Sequence, residues 1–104
     1  MSGVSNNWPA LLAGIAATAV AGGTLVPLRA DTPVRDGECV MVDNPGPNDV
    51  YLLAGGPGVV ATTLCLRVPA ASLQPYFVGQ ATHASLCCAA GLSQAVVVHV
   101  GAGQ

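Results

Sequence analysis

The sequence predicts an all-β protein, a single-domain β-sandwich or jelly roll of about eight short antiparallel strands. Short runs in which apolar and polar residues alternate recur along the chain, and glycine and proline residues separate them. No stretch outside the alanine-rich start has the period of an amphipathic helix. A spacing of about 8 to 12 residues between strands is typical of sandwiches and jelly rolls. Because no long linker divides them, the 104 residues are expected to form one domain.

The first two predicted strands are residues 12–20 and 24–29, on either side of Gly22 and Gly23. Paired glycines favour a tight turn between two strands. We therefore interpret residues 1–30 as an N-terminal arm or an edge-strand hairpin.

The start of the chain also raises the question of a membrane segment, because its first 28 residues contain no charged side chain. The run from Trp8 to Leu28 has about the 20 residues that a membrane span needs. It is too rich in alanine, glycine, threonine and proline to be a strongly hydrophobic helix, and no basic residue precedes it as in a secretory signal. We expect no membrane contact, with a cleaved or embedded segment as the alternative.

Three strands are predicted in the middle of the chain, at residues 38–43, 49–54 and 62–68. Both faces of residues 38–43 are apolar, so this strand is expected to be covered on both sides. The segment that follows it, Asn-Pro-Gly-Pro-Asn-Asp, combines residues that favour turns and predicts a rigid loop. The cleanest alternation lies in residues 62–68, where Arg67 marks the outer face.

The last three predicted strands are residues 73–78, 82–88 and 94–100. In the last two, the side chains expected to point outward are themselves half apolar. Half-apolar outer faces are what a packed protein interface requires.

The amino-acid composition argues against one class of function and favours another. The chain has three Lys and Arg residues, five Asp and Glu residues and a net charge of −2, so it lacks the basic surface that nucleic-acid binding needs. Charged residues make up 8% of the chain and hydrophobic residues 52%, whereas about 25% of an ordinary soluble domain is charged. Much of the exterior must therefore be uncharged, and such a protein is expected to associate with others.

No pattern indicates catalysis, a bound metal or a cofactor. The glycine-rich loop at residues 55–58 lacks the Lys-Ser or Lys-Thr of a phosphate-binding loop, and no serine lies in a nucleophile elbow. The cysteines lack the paired spacing of a zinc site, and they stand at positions 39, 65, 87 and 88. We expect four reduced thiols, with a disulfide from Cys39 to Cys65 or Cys87 as the alternative.

Four stretches carry a resemblance to a known family. They are Asn-Pro-Gly-Pro-Asn-Asp-Val-Tyr at residues 44–51, then residues 55–62, 66–76 and 96–103. Together they resemble the small β-sandwich or jelly-roll decoration (cement) proteins of tailed-bacteriophage heads. The resemblance implies a non-enzymatic virion protein, made in the bacterial host cytoplasm, that binds the outer surface of the capsid and stabilises it by bridging major capsid protein subunits.

The partners expected from this interpretation are the major capsid protein and further copies of the chain, as a dimer or trimer. Large apolar residues in the N-terminal segment and on strand faces are the predicted contacts, namely Trp8, Leu11, Leu12, Ile15, Met41, Tyr76 and Phe77. For Tyr76 and Phe77 the alternative is that they close one end of the sandwich. Two alternative functions stay open, a minor tail or head-fibre component and a secreted or membrane-tethered binding module.

Overall fold

A computed structural model describes residues 14–28 and 39–101 of the chain. Within these ranges the protein is all-β and contains no helix, which confirms the predicted class. The strands are β1 (Ile15–Val20), β2 (Thr24–Pro27), β3 (Cys39–Asn44), β4 (Val50–Gly55), β5 (Leu66–Val68), β6 (Ser72–Phe77), β7 (His83–Cys87) and β8 (Ser93–Gly101). Each lies within or next to a predicted strand. The described residues accordingly include no helix that could cross a membrane.

The strands form two antiparallel groups of four. Sheet I has the order β1-β8-β3-β6, and sheet II has the order β2-β7-β4-β5. One parallel pair, Val20 with Cys87, joins β1 to β7 and makes the two groups one continuous mixed sheet. The prediction of antiparallel pairing alone is therefore wrong at this point, where two strands of the curled sheet meet side by side.

The sheet curls until it is nearly barrel-like. Its two terminal strands, β5 and β6, are joined by residues 69–71 alone, so the ends of the sheet must approach each other. The inward side chains of all eight strands consequently share one core, in which valine predominates: Ala19, Val26, Val40, Val42, Val50, Leu52, Val68, Tyr76, Ala84, Leu86, Val96, Val98 and Val100. Burial of each valine or leucine stabilises the fold by about 1.5–3 kcal/mol.

The N-terminal strands differ from the expected hairpin. The turn between β1 and β2 forms as predicted, with Gly23 at a φ of 90° and its N–H donating to the Val20 carbonyl at 3.0 Å. The two strands do not pair with each other, because β1 pairs with β8 and β2 pairs with β7. The predicted hairpin is therefore a corner that connects the two sheets.

A buried amide fixes the loop that follows β3. Asn44 has no exposed surface, and its Nδ2 donates to the carbonyls of Asn48, Val68 and Pro69 at 3.0, 3.1 and 3.2 Å. On the other side of the loop, the Asn48 N–H donates to Gln94 Oε1 at 2.9 Å. Asn44 thus connects the end of β3 in sheet I to the end of β5 in sheet II.

Candidate interaction surface

On the outer face of sheet II, the strand β7 is covered by the protein's own chain, whereas Leu25 of β2 and Leu53 of β4 beside it are 44% and 40% exposed. The loop between β4 and β5 passes over β7, and the Ala61 N–H donates to Ser85 Oγ at 2.9 Å. Ser85 and Cys87 point outward from β7, yet each is only 1% exposed. Sheet II therefore offers little of its central strand to a partner.

The outer face of sheet I is open within the described part of the chain. We call it the open face, and it comprises Ala16 and Thr18 of β1, Ala95, Val97 and His99 of β8, Cys39, Met41 and Asp43 of β3, and Leu73, Pro75 and Phe77 of β6. Phe77 is 72% exposed and Leu73 is 59% exposed. Two large apolar side chains thus stand in solvent on one edge strand.

A shallow groove of about 380 Å³ lies on the β1–β8 side of the open face, next to the end of β3. It is lined by β8 with Ala95 and Val97, by β1 with Ala16 and Thr18, and by Asp43 and Pro45 at the end of β3. The groove exists because the alanine side chains end at Cβ while their neighbours are larger. Its lining is mainly apolar, as expected for a site that takes an apolar side chain.

Electrostatics contribute little to this surface. The described residues include three charged Asp, Glu, Lys or Arg side chains, Asp43, Asp49 and Arg67. Arg67 Nη1 lies 3.8 Å from Asp49 Oδ2 in a solvent-exposed pair, and such pairs contribute at most about 1 kcal/mol. Asp43 is the one acidic side chain on the open face, so shape and apolar burial must determine what binds there.

The contact residues that were predicted from the sequence have different surroundings in the structure. Met41 and Phe77 both lie on the open face, and Ile15 is half-buried in β1 and packs against the core. Tyr76 is 8% exposed and belongs to the core, so it presents little surface to a partner. The remaining three, Trp8, Leu11 and Leu12, lie outside the described residues.

Sequence reasoning missed several members of the open face. Leu73, Ala95 and Val97 join Met41 and Phe77 because the register of β6, β3 and β8 aligns them. The sequence could have predicted Leu73 as a member of this face, because it lies four residues before the candidate Phe77 and residues four apart on a strand share a face. The groove depends on strand pairing and had no such signal.

No disulfide joins Cys39, Cys65, Cys87 and Cys88 in the structure. Burial raises the pKa of both Cys87 and Cys88, and for Cys87 the nearby Cys65 and Cys88 thiols raise it further. Among the described residues no His, Cys, Asp and Glu side chains cluster as a metal site would require. That the thiols are reduced and metal-free in solution stays a prediction.

Comparison with known protein families, with curated proteins and with solved structures found no match to this chain. Functional interpretation therefore depends on the geometry and chemistry of the chain itself.

Proposed function

We propose that the chain is a structural, non-enzymatic protein of a tailed-bacteriophage virion that binds the outside of the capsid and stabilises it by bridging major capsid protein subunits. The open face is the observation that carries this proposal. It is a rigid four-stranded surface with exposed Leu73 and Phe77 and a single carboxylate. Exposed apolar patches of this kind mark protein contacts.

The strand pairing supports the finer description of the fold as a jelly roll. β1 pairs with β8, β2 with β7, β3 with β6 and β4 with β5, so strand n meets strand 9 − n throughout. A long antiparallel ribbon of this kind, wrapped into two four-stranded sheets, is the jelly-roll arrangement that recurs in viral capsid domains.

The physical basis of attachment is apolar burial with shape complementarity. Each 100 Å² of apolar surface removed from water contributes about 2.5 kcal/mol before the cost of association. The open face supplies one part of that surface, and the segment with Trp8, Leu11 and Leu12 supplies a second. Two separate apolar parts allow one copy to contact two subunits, and copies are proposed to assemble as dimers or trimers on the shell.

Titration of undecorated capsids with purified protein tests this proposal. The capsids come from the phage whose genome encodes the chain, and bound copies per particle are measured by quantitative mass spectrometry. Ala95→Arg places a charge in the groove of the open face, while Ala21→Arg places the same charge in the exposed β1–β2 turn. We expect saturation at hundreds of copies per capsid, strongly reduced binding by Ala95→Arg, and unchanged binding by Ala21→Arg.

Other outcomes distinguish the alternative functions. A few dozen copies located on the tail or on fibres would contradict the capsid role and favour a minor tail or head-fibre component. An intact mass of the native protein that lacks the N-terminal segment, or that carries a lipid, would favour a secreted or membrane-tethered module. If Ala95→Arg bound capsids as well as Ala21→Arg, the open face would not be part of the capsid contact.

A further inference from the structure

We propose that Cys65 and Cys87 are a redox-active pair, which a low-molecular-weight disulfide such as oxidised glutathione converts into an intramolecular disulfide. The bond ties the loop between β4 and β5 to β7, a central strand of sheet II. The thiols of the untreated chain are expected to be reduced, and the bond forms when the oxidant is supplied. Because the reaction joins two side chains of one molecule, the inference does not depend on the proposed capsid role.

The Cys65 side chain points across the outer face of sheet II towards β7. Cys65 immediately precedes β5 and lies in the turn that returns from over β7. The Thr62 N–H donates to Cys65 Sγ at 3.4 Å, and the N–H of the preceding residue, Ala61, donates to Ser85 Oγ at 2.9 Å. The Cys65 sulfur is therefore one peptide unit away from a direct contact with β7.

Cys87 is the other thiol at this contact. It follows Ser85 by two residues on β7, so the two side chains point to the same side and stand about 6.6 Å apart. The Cys65 thiol raises the pKa of Cys87 more than the thiol of Cys88, its neighbour in sequence, does. Because repulsion between like charges weakens with distance, Cys65 is the nearer of the two thiols. Cys65 and Cys87 therefore face each other where the loop meets the strand.

Strand geometry separates the other two cysteines from this pair. Cys88 directly follows Cys87 and points to the opposite side of the sheet, where it is buried in the core. Cys39 lies on the open face of sheet I, the other outer surface of the molecule. Cys65 and Cys87 are thus the two of the four cysteines whose side chains share a face.

The turn can bring the two sulfurs to bonding distance without unpairing a strand. A disulfide requires its two Cα atoms to lie within about 7 Å of each other. Cys65 stands before the first ladder pair of β5, Leu66 with Leu52, and a hydrogen bond from its N–H to the Thr62 carbonyl at 3.0 Å closes the turn. Rotation within this turn moves Cys65 Sγ while β5 stays paired with β4.

Exposure determines the order of the two chemical steps. The thiolate of half-buried Cys65 attacks one sulfur of oxidised glutathione, the S–S bond of the oxidant breaks, and the first glutathione leaves as a thiolate. Cys87 is 1% exposed and out of reach of the oxidant, so it reacts second. It loses its proton, attacks Cys65 Sγ and displaces the second glutathione. Two protein thiols are oxidised, one oxidised glutathione is reduced to two thiols, and the two protons end on those thiols.

The first step also prepares the second. Once Cys65 is bound to glutathione it carries no charge, so its part of the repulsion that raises the pKa of Cys87 disappears. Deprotonation of Cys87 then becomes easier at the moment when its thiolate is needed.

Mass spectrometry of the full chain tests the inference. The chain is incubated with oxidised glutathione at about pH 8, near the ordinary thiol pKa, and the remaining thiols are alkylated in denaturant. We expect a single chain that has lost two hydrogen atoms and takes two alkyl groups instead of four. Oxidation should raise Tm by about 10 °C, and the bond should form several-fold faster in buffer than in urea.

Matched variants assign the bond to its two sulfurs. Cys65→Ser and Cys87→Ala should each abolish the cross-link, whereas Cys39→Ser and Cys88→Ala should each retain it. Trypsin cuts the unaltered chain into residues 36–67 with Cys39 and Cys65 and residues 68–104 with Cys87 and Cys88. Fragmentation of these two linked peptides gives the assignment even if a variant does not fold.

Each contrary result overturns the inference. A chain that does not react, or that keeps one glutathione on Cys65, would show that Cys87 is out of reach. A bond to Cys39 or Cys88, or a bond only between two chains on a non-reducing gel, would assign the reaction to other sulfurs. Formation at the same rate in urea and in buffer would show that the fold does not bring the two thiols together.

Discussion

Sheets I and II have the same number of strands, but their outer faces differ in how far the chain itself covers them. On sheet II the β4–β5 loop crosses β7 and buries outward-pointing Ser85 and Cys87. On sheet I the outward side chains of Met41 and Phe77 have no such described cover, and Phe77 is largely exposed. An outward position on a strand is therefore not the same as an exposed position.

The difference has a chemical cause in the central strands. A loop that crosses a sheet must satisfy its backbone N–H groups, because a buried N–H without an acceptor is costly. On β7 the Ser85 hydroxyl provides that acceptor for Ala61. On β8 of sheet I, Ala95 and Val97 provide no polar side-chain atom, and the polar side chains that line the groove, Thr18 and Asp43, belong to the neighbouring strands. The open face is thus suited to apolar side chains more than to a backbone segment.

The largest expected effect comes from placing a charge on each outer face. Ser85→Arg would bury a guanidinium beneath the loop, and we expect the free energy of unfolding to fall by about 3 kcal/mol or more. Leu73→Arg places the same charge on the exposed edge of the open face and should cost less than about 1 kcal/mol. Urea unfolding of both variants measures the contrast, and equal losses would show that the two faces do not differ in cover.

A smaller loss is expected where the two sheets are connected. Asn44→Ala removes the donor at the end of β3 to the carbonyls of Asn48, Val68 and Pro69, and it should lower the free energy of unfolding by about 2–3 kcal/mol. Asn48→Ala removes an exposed bond to the Ser93 carbonyl and should cost about 1 kcal/mol or less. Thermal unfolding monitored by circular dichroism compares the two. If the losses match, Asn44 does not connect the sheets.

Removal of the single hydroxyl under the loop gives a finer test. Ser85→Ala should cost about 1 kcal/mol and increase hydrogen exchange at the Ala61 amide, because that amide loses its acceptor. Ser93→Ala, on an exposed position of β8, serves as the control. Unchanged protection of Ala61 would mean that the loop is held over β7 by other contacts.

The dependence of stability on pH is expected to be the smallest effect. Burial raises the pKa of Cys87 and Cys88 in the folded chain, so the folded state holds these protons to higher pH than the unfolded state. Their contribution to stability is complete below the ordinary thiol pKa and is lost as pH rises towards the folded values. The raised pKa of buried Tyr76 acts in the same direction at still higher pH.

Denaturation at a series of pH values above neutrality measures this loss. A Cys87→Ala, Cys88→Ala double variant should show a shallower decline than the unaltered chain, with the part due to Tyr76 retained. Alkylation gives a second comparison, since Cys87 under the loop should react more slowly than half-buried Cys39 on the open face. A double variant with the same pH profile as the unaltered chain would contradict the assignment to these thiols.

The alternation of apolar and polar residues, with glycine and proline between the runs, was sufficient to predict eight strands and their approximate positions. They were misleading at residues 62–68, where the cleanest alternation of the sequence yields a strand only from Leu66. The preceding residues form a turn, in which the Cys65 N–H donates to the Thr62 carbonyl at 3.0 Å and the loop returns over Ser85. Periodicity describes which side a residue takes on a strand, but it does not describe the path of a loop.

The same limit applies to the candidate surface. Tyr76 and Phe77 are neighbours on β6, so strand geometry places them on opposite faces, and one of the two was bound to point inward. The sequence alone predicts this separation but not which residue is buried. The groove between Asp43, Ala95 and Ala16 required the pairing of β3, β8 and β1, residues far apart in the chain.

The central claim is that the open face contacts the capsid from outside, and a cryo-EM density map of the particle tests it most directly. The particle is the one assembled by the phage whose genome encodes the chain. The claim predicts an eight-stranded domain repeated over the outer shell, with Leu73, Phe77 and the groove turned towards major capsid protein subunits. A shell without this domain, or a domain whose open face points into solvent, would contradict it.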